Sequence, residues 1–105
     1  MASADETAEQ RQERYKEILI TIIEQHLPTC RIYLFGSRAI GTNREGSDAD
    51  VAVDCGAKID RDIVLKISSD IDESDLPIFV DLVDLHNVSP EMRQQILKEG
   101  IIWKN

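Results

Sequence analysis

The sequence predicts an α+β fold, an α/β sandwich in which helices cover a small mixed β-sheet. Three observations predict it. Tyr15, Ile18, Leu19, Ile22, Ile23 and His26 recur at helical spacing with charged residues between them. Asp48 to Asp54 alternates strictly, with Ala49, Val51 and Val53 on one face and Asp48, Asp50, Ala52 and Asp54 on the other. Further strand-like and helix-like segments then follow in turn, and helices bury an apolar stripe by packing on a sheet.

The elements run as follows. Residues 1–7 read as a flexible tail or a helix cap, with Ser3-x-x-Glu6 as a candidate capping box. The first helix is ended by Pro28. Arg31-Ile-Tyr-Leu-Phe35 is rich in strand formers and is closed by Gly36. Residues 36–47 contain Gly36, Gly41, Asn43, Gly46 and two serines, so they read as turns. The second strand is Asp48 to Asp54. Asp60 is placed to cap a helix carrying Ile63, Ile67 and Ile71, and the acidic stretch Asp70 to Asp75 ends it. Ile78-Phe-Val-Asp-Leu-Val83 is a third strand. Ser89 and Pro90 open the last helix as N-cap and first helical residue, and Gly100 closes it. Ile101-Ile-Trp103 reads as a short final strand. The helices are expected on one face of the sheet. There is no repeat, low-complexity segment or linker, so residues 1–105 read as one domain.

Composition excludes several function classes. Twelve Lys and Arg stand against twenty Asp and Glu, a net charge of −8. A protein that grips nucleic acid through bulk charge needs a basic stripe, so direct nucleic-acid binding is not expected. The N-terminus MASADETAEQ has neither the basic nor the apolar region of a secretory signal. The longest apolar run, Ile18 to Ile23, is far short of a membrane span. The two cysteines, Cys30 and Cys55, give no zinc spacing. Free thiols in a reduced, cytoplasmic protein are the expectation, and a bridge between them is not.

The chemistry concentrates in three carboxylates. Asp48 and Asp50 lie two apart on a strand and leave the same face. Held that close they repel each other, so they need a cation. The opposite face, Ala49, Val51 and Val53, must be buried, which makes the strand a rigid platform. Asp81 lies between Val80 and Leu82 in an apolar run, where a buried carboxylate needs a partner. If the third strand lies beside the second, Asp81 joins the other two. Oxygen ligands and phosphates favour magnesium. Three carboxylates are enough to hold two ions about 3.5–4 Å apart, which suits an in-line displacement at phosphorus. Taken alone, D-x-D is more often a solvated pair on an exposed strand face. A calcium loop is excluded because Ala52 stands where the motif needs an oxygen ligand. Asp54 and Asp84 read as solvated or capping, and His26, His86, Tyr15 and Tyr33 as packing or surface residues.

Gly36-Ser37 directly follows the first strand. Glycine there lets a backbone approach a ligand, and successive N–H groups can cradle an anion. A P-loop is excluded because Thr42-Asn43 stands where Lys-Ser/Thr is required. A lone Gly-Ser after a strand is usually a turn. Followed by an acidic platform, it becomes a phosphate cradle facing a metal site.

Gly36-Ser37, ten residues, then Asp48-Ala49-Asp50 resembles the signature of the DNA polymerase β-like nucleotidyltransferases. The small size, Phe79-Val80-Asp81-Leu82-Val83 and the tail from Ser89 to Gly100 resemble its minimal nucleotidyltransferase (MNT) branch, over residues 15–103. The resemblance implies the nucleotidyltransferase fold. It implies that Asp48 and Asp50 ligate two Mg2+ ions, and that Asp81 binds the catalytic ion and helps deprotonate the attacking hydroxyl. Gly36 and Ser37 would hold the β,γ-phosphates of ATP, with Arg38 as a further phosphate contact. MNT proteins of this size often act as antitoxins, transferring AMP from ATP to a tyrosine of a cognate HEPN-domain toxin, so a hetero-oligomer with that toxin is the expected assembly. Ile101, Ile102 and Trp103 are candidates for the contact, with Trp103 equally at home in the core. The competing readings are an antitoxin that masks its toxin by binding alone, a small-molecule nucleotidyltransferase, and a metal-binding structural module.

Overall fold

A computed structural model describes residues 6–44 and 46–105. The chain runs α1 (Ala8–His26), β1 (Arg31–Phe35), α2 (Ser37–Ile40), β2 (Ala49–Asp54), α3 (Arg61–Asp72), β3 (Val80–Asp84), a 3-10 turn (Leu85–Asn87), α4 (Pro90–Glu99) and β4 (Ile101–Lys104). The four strands form one mixed sheet in the order β3-β2-β1-β4. β1 pairs antiparallel with both β2 and β4, while β2 and β3 are parallel, joined by the α3 crossover. The expected small mixed sheet with helices is therefore present. No helix among the described residues is long and apolar enough to cross a membrane.

Local chemistry explains the helix ends. The Thr7 hydroxyl accepts from the Gln10 N–H at 3.1 Å, and the Thr7 N–H donates to the Gln10 side chain at 2.9 Å, a reciprocal capping box. The box expected from Ser3 and Glu6 falls partly outside the described residues, and Thr7 caps α1 instead. Asp60 caps α3 and Ser89 caps α4, as expected. α3 continues through Asp70 to Asp72, so the acidic stretch ends the helix later than expected. Gly100 closes α4 for a steric reason. A Cβ there would sit 2.4 Å from the Ile96 carbonyl oxygen, so a side chain would break the turn into β4.

Strand alternation sorts the core into two layers. Leu19 and Ile23 of α1 and Ile67 and Ile71 of α3 pack on Ile32, Val51 and Val53. On the other face, Ile96 of α4 and Leu85 pack on Tyr33 and Ala52, with Met92 alongside. This corrects the expectation that helices cover one face. α4 follows β3 at the sheet edge and folds back over the opposite face, where Ile96 and Met92 pack with Tyr33, Phe35, Ala52 and Val83. On that face Asp48 and Asp81 remain exposed and Asp50 partly so.

The cysteines also differ from expectation. Cys30 and Cys55 form a disulfide with their Cα atoms 4.5 Å apart. The register explains it. Arg31 pairs with Asp54, so the next residues outward, Cys30 and Cys55, face each other across the β1–β2 ladder. The bridge lies at the end of the sheet remote from Asp50. Bridging residues 25 apart restricts the unfolded chain, worth about 3 kcal/mol in the loop-entropy account. Adding a strong reductant is expected to lower the melting temperature by about 10–20 °C. An unchanged melting curve would show that the bridge contributes nothing.

Candidate active site

The parallel register of β2 and β3 sets Asp50 directly opposite Asp81. Paired residues on neighbouring strands point to the same face about 5 Å apart, so both carboxylates leave that face together. Asp48 lies one residue before β2, which begins at Ala49 rather than at the expected Asp48. Its loop is held in place. The Arg38 guanidinium donates to the Ser47 carbonyl at 2.6 and 3.0 Å and to the Gln12 side chain at 3.3 Å. The Ser47 hydroxyl accepts from the Arg44 N–H at 2.9 Å. Arg38 thus clamps the segment that delivers Asp48.

Asp50 is half-buried and meets the glycine bend. Gly36 has φ 73° and ψ −156°, a backbone region essentially closed to other residues. A Cβ built on Gly36 would lie 2.2 Å from an Asp50 carboxylate oxygen. The carboxylate therefore rests against the Gly36 backbone, and glycine is required there twice, for conformation and for space. The Gly36 carbonyl accepts from the Ala39 and Ile40 N–H groups, so the bend opens the single turn of α2 with Ser37 as its first residue. The first N–H groups of a helical turn have no intrahelical partner.

Electrostatics agree with this grouping. Burial raises the Asp50 pKa, and the charges of Asp81 and then Asp48 raise it further. Among the described residues no lysine, arginine or histidine pairs with Asp48, Asp50 or Asp81. Negative charge accumulates here without a pairing cation among the described residues. Asp81 is exposed, which corrects the expectation of a buried acid. β3 is an edge strand.

The three side chains do not form a ready-made cage. Among the described residues no group of three acidic, histidine or cysteine side chains is close enough to hold a metal ion. Asp48 and Asp81 reach into solvent, while Asp50 lies against Gly36. The donor set still fits magnesium. It consists of hard oxygen ligands on two adjoining strands and on the loop that enters one of them, and magnesium takes one or two carboxylates and completes its shell with water and phosphate oxygens. The site is an open shelf. A cavity of about 890 Å3 lies on the other side of the sheet, between α1, Gly41, Asn43, Gly46 and Trp103, and includes none of the three carboxylates.

Other acids have structural duties. Asp84 is buried and accepts from the Ile59 N–H at 2.8 Å and the His86 N–H at 2.9 Å. Asp54 lies 2.6 Å from the His86 ring. Burial raises its pKa, but the Gly56 N–H, His86 and Arg31 outweigh burial and leave it lowered. His26 lies 2.6 Å from Asp70, joining α1 to α3. Both histidines thus have partners that sequence reading missed, and no local signal marks contacts between residues 44 and 32 positions apart. Trp103 packs against the larger core layer, while Ile101 and Ile102 remain about half exposed.

Residues 17–104 match the family described as Polymerase beta, Nucleotidyltransferase. The protein adenylyltransferase MntA of Shewanella oneidensis MR-1 is 33% identical over 87 residues, covering 78% of this chain and 59% of that protein. The chain thus spans less than two thirds of that relative. A crystal structure of a toxin–antitoxin with AMP-PNP is similar at 30% identity and a TM-score of 0.72, covering 84% of this chain and 71% of the matched one. A structure of a tri-AMPylated Shewanella oneidensis HEPN toxin in complex with an MNT antitoxin is similar at 28% identity and a TM-score of 0.62, covering 88% of this chain and 71% of the matched one. With its Gly-Ser bend against one acid of the D-x-D pair and a third acid in register on the next strand, the chain belongs to the polymerase β nucleotidyltransferase family.

Proposed function

We propose that this chain is a protein adenylyltransferase that moves AMP from ATP to a tyrosine hydroxyl of a cognate HEPN-domain toxin, and so acts as the antitoxin of the pair. The observation that carries the reading is the Asp50 carboxylate lying against the Gly36 backbone with Asp81 in register beside it. The similar proteins support the acceptor, since one is a protein adenylyltransferase and another an MNT antitoxin complexed with an AMPylated HEPN toxin. The open shelf also suits a protein acceptor, which supplies the missing wall.

In this reading the residues divide the work. Gly36 and Ser37 hold the β,γ-phosphates of ATP with backbone N–H groups and a hydroxyl. Asp48, Asp50 and Asp81 would hold magnesium, two ions in this reading. Magnesium held there would supply positive charge against the triphosphate. Asp81, on the open edge, accepts the proton of the attacking hydroxyl. The acceptor oxygen bonds to the α-phosphorus, the bond from that phosphorus to the bridging oxygen breaks, and pyrophosphate leaves in line. Arg38 keeps Asp48 in position through Ser47. We place the pair in the cytoplasm, within a single domain spanning residues 1–105.

The test is transfer of label. ATP labelled at the α-phosphate, incubated with this chain, magnesium and the purified HEPN protein, is expected to label the HEPN protein. Label should be absent with Asp81→Ala, although that variant still co-purifies with the toxin. Neutralisation of the toxin without any label on it would overturn the transfer reading in favour of binding alone.

A further inference from the structure

Phe79 is 80% exposed, the most exposed of the large apolar residues on the described surface. It stands next to the carboxylates. Its carbonyl accepts from the Ala49 N–H at 3.0 Å, which extends the β2–β3 ladder by one rung beyond Val80. Val80 packs against the larger core layer, and Ile78 lines a small apolar gap with Leu34, Ala49 and Trp103 on that same side. Alternation therefore sends Phe79 to the opposite face, the one that carries Asp81 two residues later. No core residue covers its ring.

The sheet order gives this position a meaning. β2 with Asp50 is central, the Gly36–Ser37 bend follows β1 on one flank, and β3 with Asp81 and Phe79 forms the other. The phosphate cradle and Phe79 thus lie on opposite flanks of Asp50, with Phe79 on the same side as Asp81. A nucleotide whose β,γ-phosphates sit at the bend leaves the β3 flank free for the incoming hydroxyl. Phe79 has no hydrogen-bonding group, so what it offers there is an apolar face.

We infer that Phe79 is the acceptor-side specificity contact: an aromatic shelf against which the hydroxyl-bearing side chain of the protein acceptor lies as its oxygen approaches Asp81. This rests on the adenylyl-transfer reading. The competing occupant of the shelf is the base of ATP, and kinetics separate the two. Initial rates of label transfer are measured with the HEPN protein and ATP varied in turn, for the wild type, Phe79→Ala and Phe79→Trp. The alanine variant is expected to raise KM for the HEPN protein roughly tenfold, the loss of one well-placed aromatic contact. KM for ATP and kcat should stay within about twofold of wild type, the mark of a binding contact that does not touch the reacting atoms. Tryptophan should restore the acceptor KM. An unchanged acceptor KM, or a rise in KM for ATP instead, overturns the inference while transfer by the wild type still stands. No transfer by the wild type overturns the adenylyl-transfer reading and this inference with it.

Discussion

Asp50→Asn is expected to lower AMP transfer by on the order of 10³-fold or more, the scale on which one preorganised charge-stabilising group acts. The same change should stabilise the protein when magnesium is absent. Asp50 is the carboxylate pressed against Gly36 with Asp81 opposite it, and burial followed by those neighbouring charges raises its pKa. A raised folded pKa means that the folded chain holds the proton more tightly than the unfolded chain. That stabilisation is complete below the ordinary carboxylate pKa and is lost as pH rises through the raised value. At neutral pH in a chelator the wild type therefore carries a half-buried charge, further repelled by Asp81 and Asp48, that asparagine removes. Urea unfolding of both proteins across that range should show the stability advantage of the variant over the wild type growing as pH rises, since Asp50 is the one acid the two proteins do not share. Full transfer activity in Asp50→Asn would sink the role given to this residue, and identical pH profiles would show that the cost of this charge is negligible.

Gly36→Ala is expected to abolish nucleotide binding, with a folding cost of about 1–3 kcal/mol from the backbone conformation alone. Alanine must adopt φ 73° and ψ −156° and must also displace the carboxylate oxygen that would lie 2.2 Å from its Cβ. The backbone relaxes, the bend moves, or Asp50 swings away, and each outcome separates the phosphate cradle from the acid beside it. Thermal unfolding and titration with AMP-PNP and magnesium would measure the two effects. Gly41 is the natural control, because a Cβ there meets nothing within 4 Å, although its φ of 81° still strains alanine. Gly41→Ala should lower stability while nucleotide binding persists. If both variants bind AMP-PNP like the wild type, the cradle lies elsewhere.

What could be read from the sequence was local. Caps at Asp60 and Ser89 depend on a hydroxyl or carboxylate and an N–H two or three residues away, so spacing alone reveals them. Alternation across Asp48 to Asp54 sorts apolar from acidic faces without knowledge of any other strand, and the layers follow that division. Gly36-Ser37 and the D-x-D pair carry a spacing that marks the family. The parts that stayed hidden depend on register and edges. The Cys30–Cys55 bridge follows from the pairing of Arg31 with Asp54, which no spacing reveals. Asp81 looked buried because Val80 and Leu82 flank it, yet on an edge strand it is exposed. The position of Arg38 directly after Gly36-Ser37 suggests a phosphate contact, and the bond it also makes to the Ser47 loop is what the spacing does not show. The Ser47 carbonyl that takes up its guanidinium arrives from a loop whose path the sequence does not show.

The claim beneath the rest is that carboxylates from two adjoining strands and the backbone of one glycine bend together make a single binding place for magnesium and a nucleoside triphosphate. Calorimetric titration of AMP-PNP into the wild type and into the double variant Asp50→Asn, Asp81→Asn, each with and without magnesium, tests it most directly. The account predicts binding by the wild type that requires magnesium and is lost in the double variant. Equal affinity in both proteins, or affinity indifferent to magnesium, would contradict it.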